Sequence, residues 1–220
     1  MENKNTKQGL RIGISLNEVL RDFIGQFVYT YSKYIGESTV KEGEVTSFNL
    51  LDHFKFKNLA ELNQFLYLES PLEIFGHADQ VSDGLMTHFN QFLTDIKDDE
   101  EHEIILVSKE ASKSIPSTYF FLSKTGCRIE KINFVQDSVK EWDGIDVLIT
   151  ANPDALNNKP NGKTSVKVKA SYNQDVKSDY ELNSILEFIK DTNLREKILN
   201  NKPTTYEEIL WLNLEHPSIT

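Results

Sequence analysis

The sequence predicts an α/β fold in which helices flank a parallel central sheet and a helical segment is inserted. Short apolar runs typical of buried strands alternate with segments in which apolar residues recur at helical spacing. The 220-residue chain is long enough for one sizeable core with an inserted cap. The single cysteine, Cys127, excludes an internal disulfide framework, so we expect packing alone to stabilise the fold.

The opening strand and helix are predicted from a change of hydrophobic period near residue 15. Residues 10–14 form an apolar run typical of a buried strand. After this run, apolar residues recur at three- and four-residue spacing, which indicates an amphipathic helix. They are Val19, Leu20, Phe23, Ile24, Phe27, Val28, Tyr31 and Tyr34.

The middle of the chain predicts an inserted helical cap. It contains two stripes of apolar residues at helical spacing. They are Leu59, Leu62, Phe65 and Leu66, followed by Val81, Leu85, Phe89, Phe92, Leu93 and Ile96. Residues 36–56 have no clear periodicity and are predicted to be a loop that becomes ordered on binding. We therefore assign residues 1–35 and 102–220 to the core domain and residues 36–101 to the cap.

The second half of the chain alternates strands and helices, which predicts a parallel sheet with crossover connections. A helix is expected between Pro116, near its first turn, and Gly126, just past its end. A short helix is expected at residues 138–142. Strands are predicted at residues 103–108, 128–135, 145–149 and 165–169.

The chain is predicted to end in helices. Ser178 with Glu181 and Thr204 with Glu207 fit the capping-box pattern that marks a helix start. The first of these helices has an apolar face. Its members are Leu182, Ile185, Leu186 and Ile189.

Charge and hydropathy exclude several classes of partner. The formal net charge of −10 opposes a phosphate backbone, so we expect no direct nucleic-acid binding. The longest apolar runs are far shorter than the roughly 20 residues of a membrane-spanning helix, so we expect no membrane association. The lone cysteine and the lack of a signal segment favour a reducing, intracellular or cytoplasmic setting.

Four motifs resemble those of a known family. They are Ile12-Gly-Ile-Ser-Leu-Asn-Glu-Val-Leu, Leu106-Val-Ser-Lys, the lysine of Val139-Lys-Glu-Trp142, and Asp146-Val-Leu-Ile-Thr-Ala-Asn-Pro153. In this order, with a cap-sized insertion after the first, they are similar to the 5'(3')-deoxyribonucleotidase branch of the haloacid dehalogenase (HAD) superfamily. The resemblance implies a HAD-like, Rossmannoid fold of three layers with an inserted cap.

The resemblance also implies that the residues of the family's chemistry have been replaced. In that family, one aspartate attacks phosphorus, a second serves as acid and base, and an acidic pair after the fourth strand helps to hold magnesium. These four positions fall at Ser15, Asn17, Thr150 and Ala151. None of these residues is acidic. The remaining motif hydroxyl and lysine fall at Ser108 and Lys140, which suggests a vestigial phosphate-binding pair.

These replacements predict a pseudophosphatase without catalytic residues, metal or cofactor. Magnesium prefers carboxylate oxygens, a serine without a base is a poor nucleophile, and an asparagine does not transfer protons. The residues alone leave another interpretation open. Ser15 and Asn17 are also suitable as strand-end and helix-capping residues of an unrelated nucleotide-fold protein.

The predicted role of such a protein is structural, as a rigid block that assembles with other protein subunits into an oligomer. The resemblance suggests a virion component of a tailed bacteriophage, such as a neck or tail ring subunit, with residues 211–220 docking on a neighbour. Two alternatives stay open. One is a module that binds a nucleotide or phosphate without hydrolysis through Ser108 and Lys140, and the other is a residual phosphatase.

Overall fold

In a computed structural model of the chain, parallel strands form one sheet of order β3-β2-β1-β4-β5-β6. The structure describes residues 9–35, 40–98 and 102–200. The strands are β1 (Arg11–Ser15), β2 (Glu103–Lys109), β3 (Ile132–Val135), β4 (Val147–Thr150), β5 (Thr164–Val168) and β6 (Tyr180–Leu182). The predicted α/β fold with a parallel central sheet is confirmed.

Helices connect the strands and build the cap. The α-helices are α1 (Phe23–Ile35), α2 (Leu59–Gln64), α3 (Leu85–Asp98), α4 (Ile115–Thr125), α5 (Pro153–Asn157), α6 (Ile185–Lys190) and α7 (Thr192–Asn200). Shorter helical turns are Glu42–Glu44, Leu50–Asp52, Phe65–Glu69, Leu72–Gly76 and Ser138–Trp142. In the part of the chain that the structure describes, no helix has the length and apolar character needed to cross a bilayer.

The sheet is buried on both faces, which gives the molecule three layers. In β2, Ile104 and Leu106 belong to the largest hydrophobic cluster, here called the core cluster, together with residues of α3, α4 and α6. The alternate residues Ile105 and Val107 belong to a smaller cluster that contains Trp142. Alternation along a strand places these two sets on opposite faces.

A separate hydrophobic cluster, here called the cap cluster, lies outside the sheet. Its buried members are Ile24, Phe27, Tyr31, Val45, Leu50, Phe54, Leu62, Phe65, Leu66, Ile74 and Phe75. Leu50 and Phe54 come from the segment that was predicted to be a loop ordered on binding, yet both are buried in the chain alone. Aromatic packing therefore orders a segment that has no periodic pattern.

The chain is divided between the two clusters differently from the predicted cap range 36–101. Helix α1 packs in the cap cluster, where the Phe27 ring lies 4.7 Å from that of Phe54. Helix α3 packs in the core cluster, where the Phe92 ring lies 5.7 Å from that of Phe188 in α6. An apolar stripe shows that a helix has a buried face, and its spacing does not show which partner covers that face.

Two predicted helix starts are wrong. The first helix begins at Phe23, and Val19 and Leu20 are buried in the turns before it. Ser178 and Glu181 form no capping box because Glu181 lies in β6. Helix α6 instead begins after Ser184, whose side chain accepts a hydrogen bond from the Leu186 backbone N–H. Thr204, Glu207 and the segment 211–220 lie outside the described residues.

The chain leaves the core for the cap and returns to it at one place. The Asp22 backbone N–H donates a hydrogen bond to the Asp79 carbonyl at 2.9 Å, and the Val81 backbone N–H donates one to the Leu20 carbonyl at 3.2 Å. An isolated antiparallel bridge lies between these two hydrogen bonds. The outgoing and returning segments thus run side by side.

A buried ion pair fixes the loop after β1. The Arg21 Nη2 atom lies 2.6 Å from Glu110 Oε1, and neither side chain is exposed to solvent. Arg21 also donates to the Thr118 hydroxyl in α4 and to the Phe75 carbonyl in the cap. Burial lowers the pKa of Arg21, and the charge of Glu110 opposes this change. One guanidinium group therefore joins the β1 loop, the end of β2, α4 and the cap.

Replacing Arg21 with methionine would leave the Glu110 carboxylate buried without its cation. We expect Arg21→Met to lower the free energy of unfolding by about 3–5 kcal/mol, measured by urea denaturation. Lys159→Met is the control, because it removes a partly exposed ion pair with Asp179 and should cost less than about 1 kcal/mol. Equal effects of the two substitutions would contradict the role given to Arg21.

Candidate functional site

The strand order reverses between β1 and β4, and ligand sites in open parallel sheets form at the carboxyl ends of strands beside such a reversal. A cleft of about 510 Å³ lies there. Ser15 and Lys109, the last residues of β1 and β2, line its polar side. Side chains of the cap cluster, including Leu62 and Phe75, line the other side. Its volume suits a small molecule.

The Ser15 hydroxyl is the centre of a buried hydrogen-bond network. It lies 2.7 Å from Oγ1 of Thr150 and 2.9 Å from Oε2 of Glu141. The Asn152 backbone N–H donates to Thr150 Oγ1, and the Asn152 side-chain amide donates to Glu141 Oε1. Since Ser15 has one proton to donate, the consistent arrangement has Thr150 donating to Ser15 and Ser15 donating to Glu141. The predicted positions 15 and 150 are therefore in contact.

The other two positions that the resemblance implies, Asn17 and Ala151, have different surroundings. Asn17 Oδ1 accepts hydrogen bonds from Arg21 Nε at 2.9 Å and Arg21 Nη2 at 2.6 Å. Asn17 is not a helix cap, because α1 begins six residues later, at Phe23. Ala151 is buried, and its carbonyl oxygen accepts a hydrogen bond from Asn173. The Asn17 side chain thus holds the loop that carries Arg21.

Ser108 and Lys140 do not line the cleft. The buried Ser108 hydroxyl donates to Glu110 Oε1 at 2.7 Å, and Lys140 is exposed to solvent. The lysine that lines the cleft is Lys109, which donates to the Ser138 hydroxyl at 2.9 Å. The predicted phosphate-binding pair is therefore not assembled in this cleft.

Glu141 is a site residue that sequence reasoning missed. Burial raises the pKa of Glu141, and the hydrogen bonds from Ser15 and Asn152, with the charge of Lys109, oppose that increase. The available signal was the position of Glu141 beside Lys140 in the short helix before β4. A five-residue helix turns neighbouring side chains in different directions, so Glu141 is buried while Lys140 is exposed.

Glu18 is a second missed residue of the cleft. Its backbone φ of 61° lies in the left-handed region, which non-glycine residues rarely adopt. Its Oε1 atom accepts a hydrogen bond from the Ile24 backbone N–H at 2.7 Å. Burial, together with the charges of Asp22 and Glu42, raises the pKa of Glu18 from 4.5 to about 7. Sequence patterns do not report a left-handed glutamate, so no signal pointed to this residue.

Solved structures share this architecture over most of the chain. A phosphonoacetaldehyde hydrolase-like protein from Oleispira antarctica has 12% sequence identity and a TM-score of 0.54, over 92% of this chain and 100% of that chain. The HAD hydrolase YfnB from Bacillus subtilis, described in a magnesium-bound form, has 11% identity and a TM-score of 0.52, over 88% and 100%. The chain has a HAD-like fold.

The comparisons therefore support the HAD resemblance at the level of the fold. No family model matches the sequence, and no curated protein is a detectable relative. The nucleotidase branch and the bacteriophage origin stay predictions from the sequence. Sequence identities of 11 and 12% show a shared fold and do not show a shared function or origin.

The donor set of this HAD-like site does not fit magnesium. Ser15 and Thr150 offer hydroxyl groups, Ala151 a methyl group, and Asn17 an amide oxygen that already accepts two hydrogen bonds from Arg21. Magnesium is held by carboxylate oxygens in near-octahedral geometry. Within residues 9–35, 40–98 and 102–200, no three His, Cys, Asp or Glu side chains are placed to hold a metal ion.

An aspartate introduced at position 15 would place a carboxylate beside Glu141. Two adjacent carboxylates share a proton, so one of the two has a pKa in the folded protein above its value in the unfolded chain. The folded protein is therefore less stable at a pH where that proton is lost. We expect Ser15→Asp to lower the free energy of unfolding by about 2–4 kcal/mol near pH 8 and by less near pH 5.

Denaturation curves at the two pH values test this expectation. Ser15→Asn has a similar shape without the charge and should lack the pH difference, while Ser15→Asp combined with Glu141→Gln should regain stability near pH 8. A Ser15→Asp protein as stable as the wild type near pH 8 would show that Glu141 is not beside position 15.

The raised pKa of Glu18 predicts a pH-dependent stability. The folded-state pKa of Glu18 is about 7 and the ordinary value is 4.5. The stability that the protonated Glu18 carboxyl group contributes is therefore complete below about pH 4.5 and is lost as the pH rises through 7. We expect the free energy of unfolding of Glu18→Gln, relative to that of the wild type, to be higher near pH 9 than near pH 5 by roughly 1–3 kcal/mol. Glu196→Gln, which changes an exposed charge in α7, should show no such gain in the same thermal-unfolding series.

Proposed function

We propose that this HAD-like protein binds a small molecule in its cleft without catalysing aspartate- and magnesium-dependent phosphoryl transfer. The observation that carries the proposal is the Ser15 network at the end of β1. There, Ser15, Thr150 and Asn152 satisfy one another and Glu141 by hydrogen bonds. The catalytic positions of the HAD resemblance are thus filled by groups that neither hold magnesium nor transfer protons in the family's manner.

The cleft itself supports the binding half of the proposal. It combines an apolar and aromatic lining with a few polar groups at the strand ends, which is the usual composition of a small-molecule site. The aromatic lining residues are Phe23, Phe48, Tyr67, Phe75 and Tyr172. Because α1 and the cap cluster cover the strand ends, a ligand would lie between the core and the cap.

One observation favours a second candidate, a hydrolase with a serine nucleophile. The Ser15 hydroxyl lies 2.9 Å from Glu141 Oε2, which is within reach for a general base. The solved structures of similar fold are described as hydrolases. In this candidate, Glu141 takes the Ser15 proton as Ser15 Oγ bonds to an ester carbonyl carbon or a phosphorus atom, and the leaving alkoxide departs with that proton. Water then hydrolyses the Ser15 ester and returns the free hydroxyl.

The predicted structural role, with other protein subunits as partners, also stays a proposal. Large apolar side chains on cap segments support it, because Tyr29, Tyr34, Leu68 and Leu72 are 63, 54, 54 and 43% exposed. Apolar surface of this kind is suitable for a protein partner. The docking segment predicted for this role lies outside the described residues.

Hydrolysis assays separate these candidates. We expect magnesium-supplemented protein to release no phosphate from deoxynucleoside monophosphates or p-nitrophenyl phosphate, and no p-nitrophenol from p-nitrophenyl butyrate, above the level of Ser15→Ala. Turnover abolished by both Ser15→Ala and Glu141→Gln would establish the serine hydrolase instead. Magnesium-dependent phosphate release that survives both substitutions would contradict both candidates.

A further inference from the structure

The charged side chains that line the cleft are unequally paired. They are Glu18, Glu110, Glu141 and Lys109. Glu110 forms its ion pair with Arg21 at 2.6 Å, and the charge of Lys109 stabilises the ionised form of Glu141. In the described part of the chain, no lysine, arginine or histidine forms an ion pair with Glu18. Glu18 is therefore the unbalanced negative charge of the cleft.

The surroundings of Glu18 increase this imbalance. Asp22 and Glu42 lie close enough for their negative charges to act on the Glu18 carboxylate. Arg21 also acts on Glu18 at longer range, but its guanidinium is committed to Glu110 and Asn17. A half-buried carboxylate without a basic partner is costly, and a cation supplied by a ligand would reduce that cost.

The backbone at Glu18 is itself unusual. Among the described residues, Glu18 is the one non-glycine residue with positive φ, at 61°. A glycine would adopt this conformation without strain. Strained positions of this kind occur at ligand sites, where the surrounding structure maintains the conformation. Here the strained residue is Glu18, which lines the cleft and forms no ion pair with a described basic residue.

Aromatic rings form the walls on either side of the cleft. Phe75 stacks on Phe23 with ring centroids 5.6 Å apart and on Tyr67 with centroids 5.7 Å apart. Phe48 and Tyr172 form a second pair, with centroids 5.5 Å apart. Such rings pack against an apolar or aromatic body. Arg21 already lies over the Phe75 ring and Lys109 over the Phe48 ring, so the walls supply the apolar contact and Glu18 supplies the charge.

We propose that the cleft binds a small organic cation, in which a protonated amine pairs with Glu18 and an aromatic or apolar body packs between the rings. The inference rests on the proposed binding function and names the chemical class of the ligand. An anionic ligand is disfavoured because it would add to the negative charge of Glu18, on which the charges of Asp22 and Glu42 already act from outside the cleft.

Three matched probes test the ligand class. Tryptamine, tryptophol and indole-3-propionate share an indole body and differ in a cationic, neutral or anionic end. Affinities are measured by calorimetry near pH 8, where an alkylammonium group like that of lysine is protonated. We expect tryptamine to bind about tenfold more tightly than tryptophol, as a charge-assisted hydrogen bond predicts, and indole-3-propionate to bind most weakly.

Variants connect the preference to Glu18. Glu18→Gln keeps the hydrogen-bond acceptor for the Ile24 N–H and should reduce the affinity for tryptamine to that for tryptophol, whereas Glu196→Gln should leave the tenfold preference intact. Tight tryptamine binding that is unchanged in Glu18→Gln would overturn the inference.

The remaining outcomes separate this inference from the proposed function. If tryptophol or indole-3-propionate binds as tightly as tryptamine, the ligand class is wrong and the binding function stands. If none of the three probes binds, both the inference and the proposed binding function are overturned. Turnover of the substrates named above would overturn the non-catalytic part of the proposed function and leave the cation preference to be judged by the probes alone.

Discussion

The buried ion pair between Arg21 and Glu110 is the constraint on which the rest of the site depends. A charge without solvent is tolerated only when hydrogen bonds surround it, and Arg21 obtains them from Asn17, Thr118 and the Phe75 carbonyl. These partners come from the β1 loop, α4 and the cap. The same contacts that satisfy Arg21 therefore hold Glu18 in its strained conformation and set the position of the aromatic walls relative to the strand ends.

Hydrogen bonds between Ser15, Thr150, Asn152 and Glu141 determine the chemistry at the ends of β1 and β4. Where the HAD resemblance implies carboxylates, this chain has hydroxyl and amide groups. The acid present, Glu141, comes from a helical turn and accepts hydrogen bonds from Ser15 and Asn152. Glu18, at the cap side of the cleft, accepts a hydrogen bond from the Ile24 backbone N–H and forms no ion pair with a described basic residue. The unpaired negative charge of the cleft thus lies at the loop that leads into the cap.

The sequence was sufficient to predict the parallel sheet and strands β1 to β5, because these depend on local hydrophobic period, and to indicate the strand ends as the place where ligands bind in such sheets. It predicted a helix where β6 lies. It was insufficient where contacts between distant segments decide. The stripe of α1 was assigned to the core and that of α3 to the cap, and each packs in the other cluster. Lys140 was predicted to bind phosphate although it is exposed to solvent, and Glu141 and Glu18 were missed, because burial and φ at single residues are set by tertiary contacts.

The side-by-side segments that join core and cap have a topological consequence. The Asp22–Asp79 and Val81–Leu20 hydrogen bonds bring the exit and re-entry points of the insertion together. The two ends of the cap insertion are therefore as close together at the sheet as the two ends of a short surface loop. The entropy of closing a loop depends only weakly on its length. The cap can change in size and shape over evolution without disturbing the order of the strands. Ligand selectivity and scaffold are thus separable modules, exchanged at a single junction.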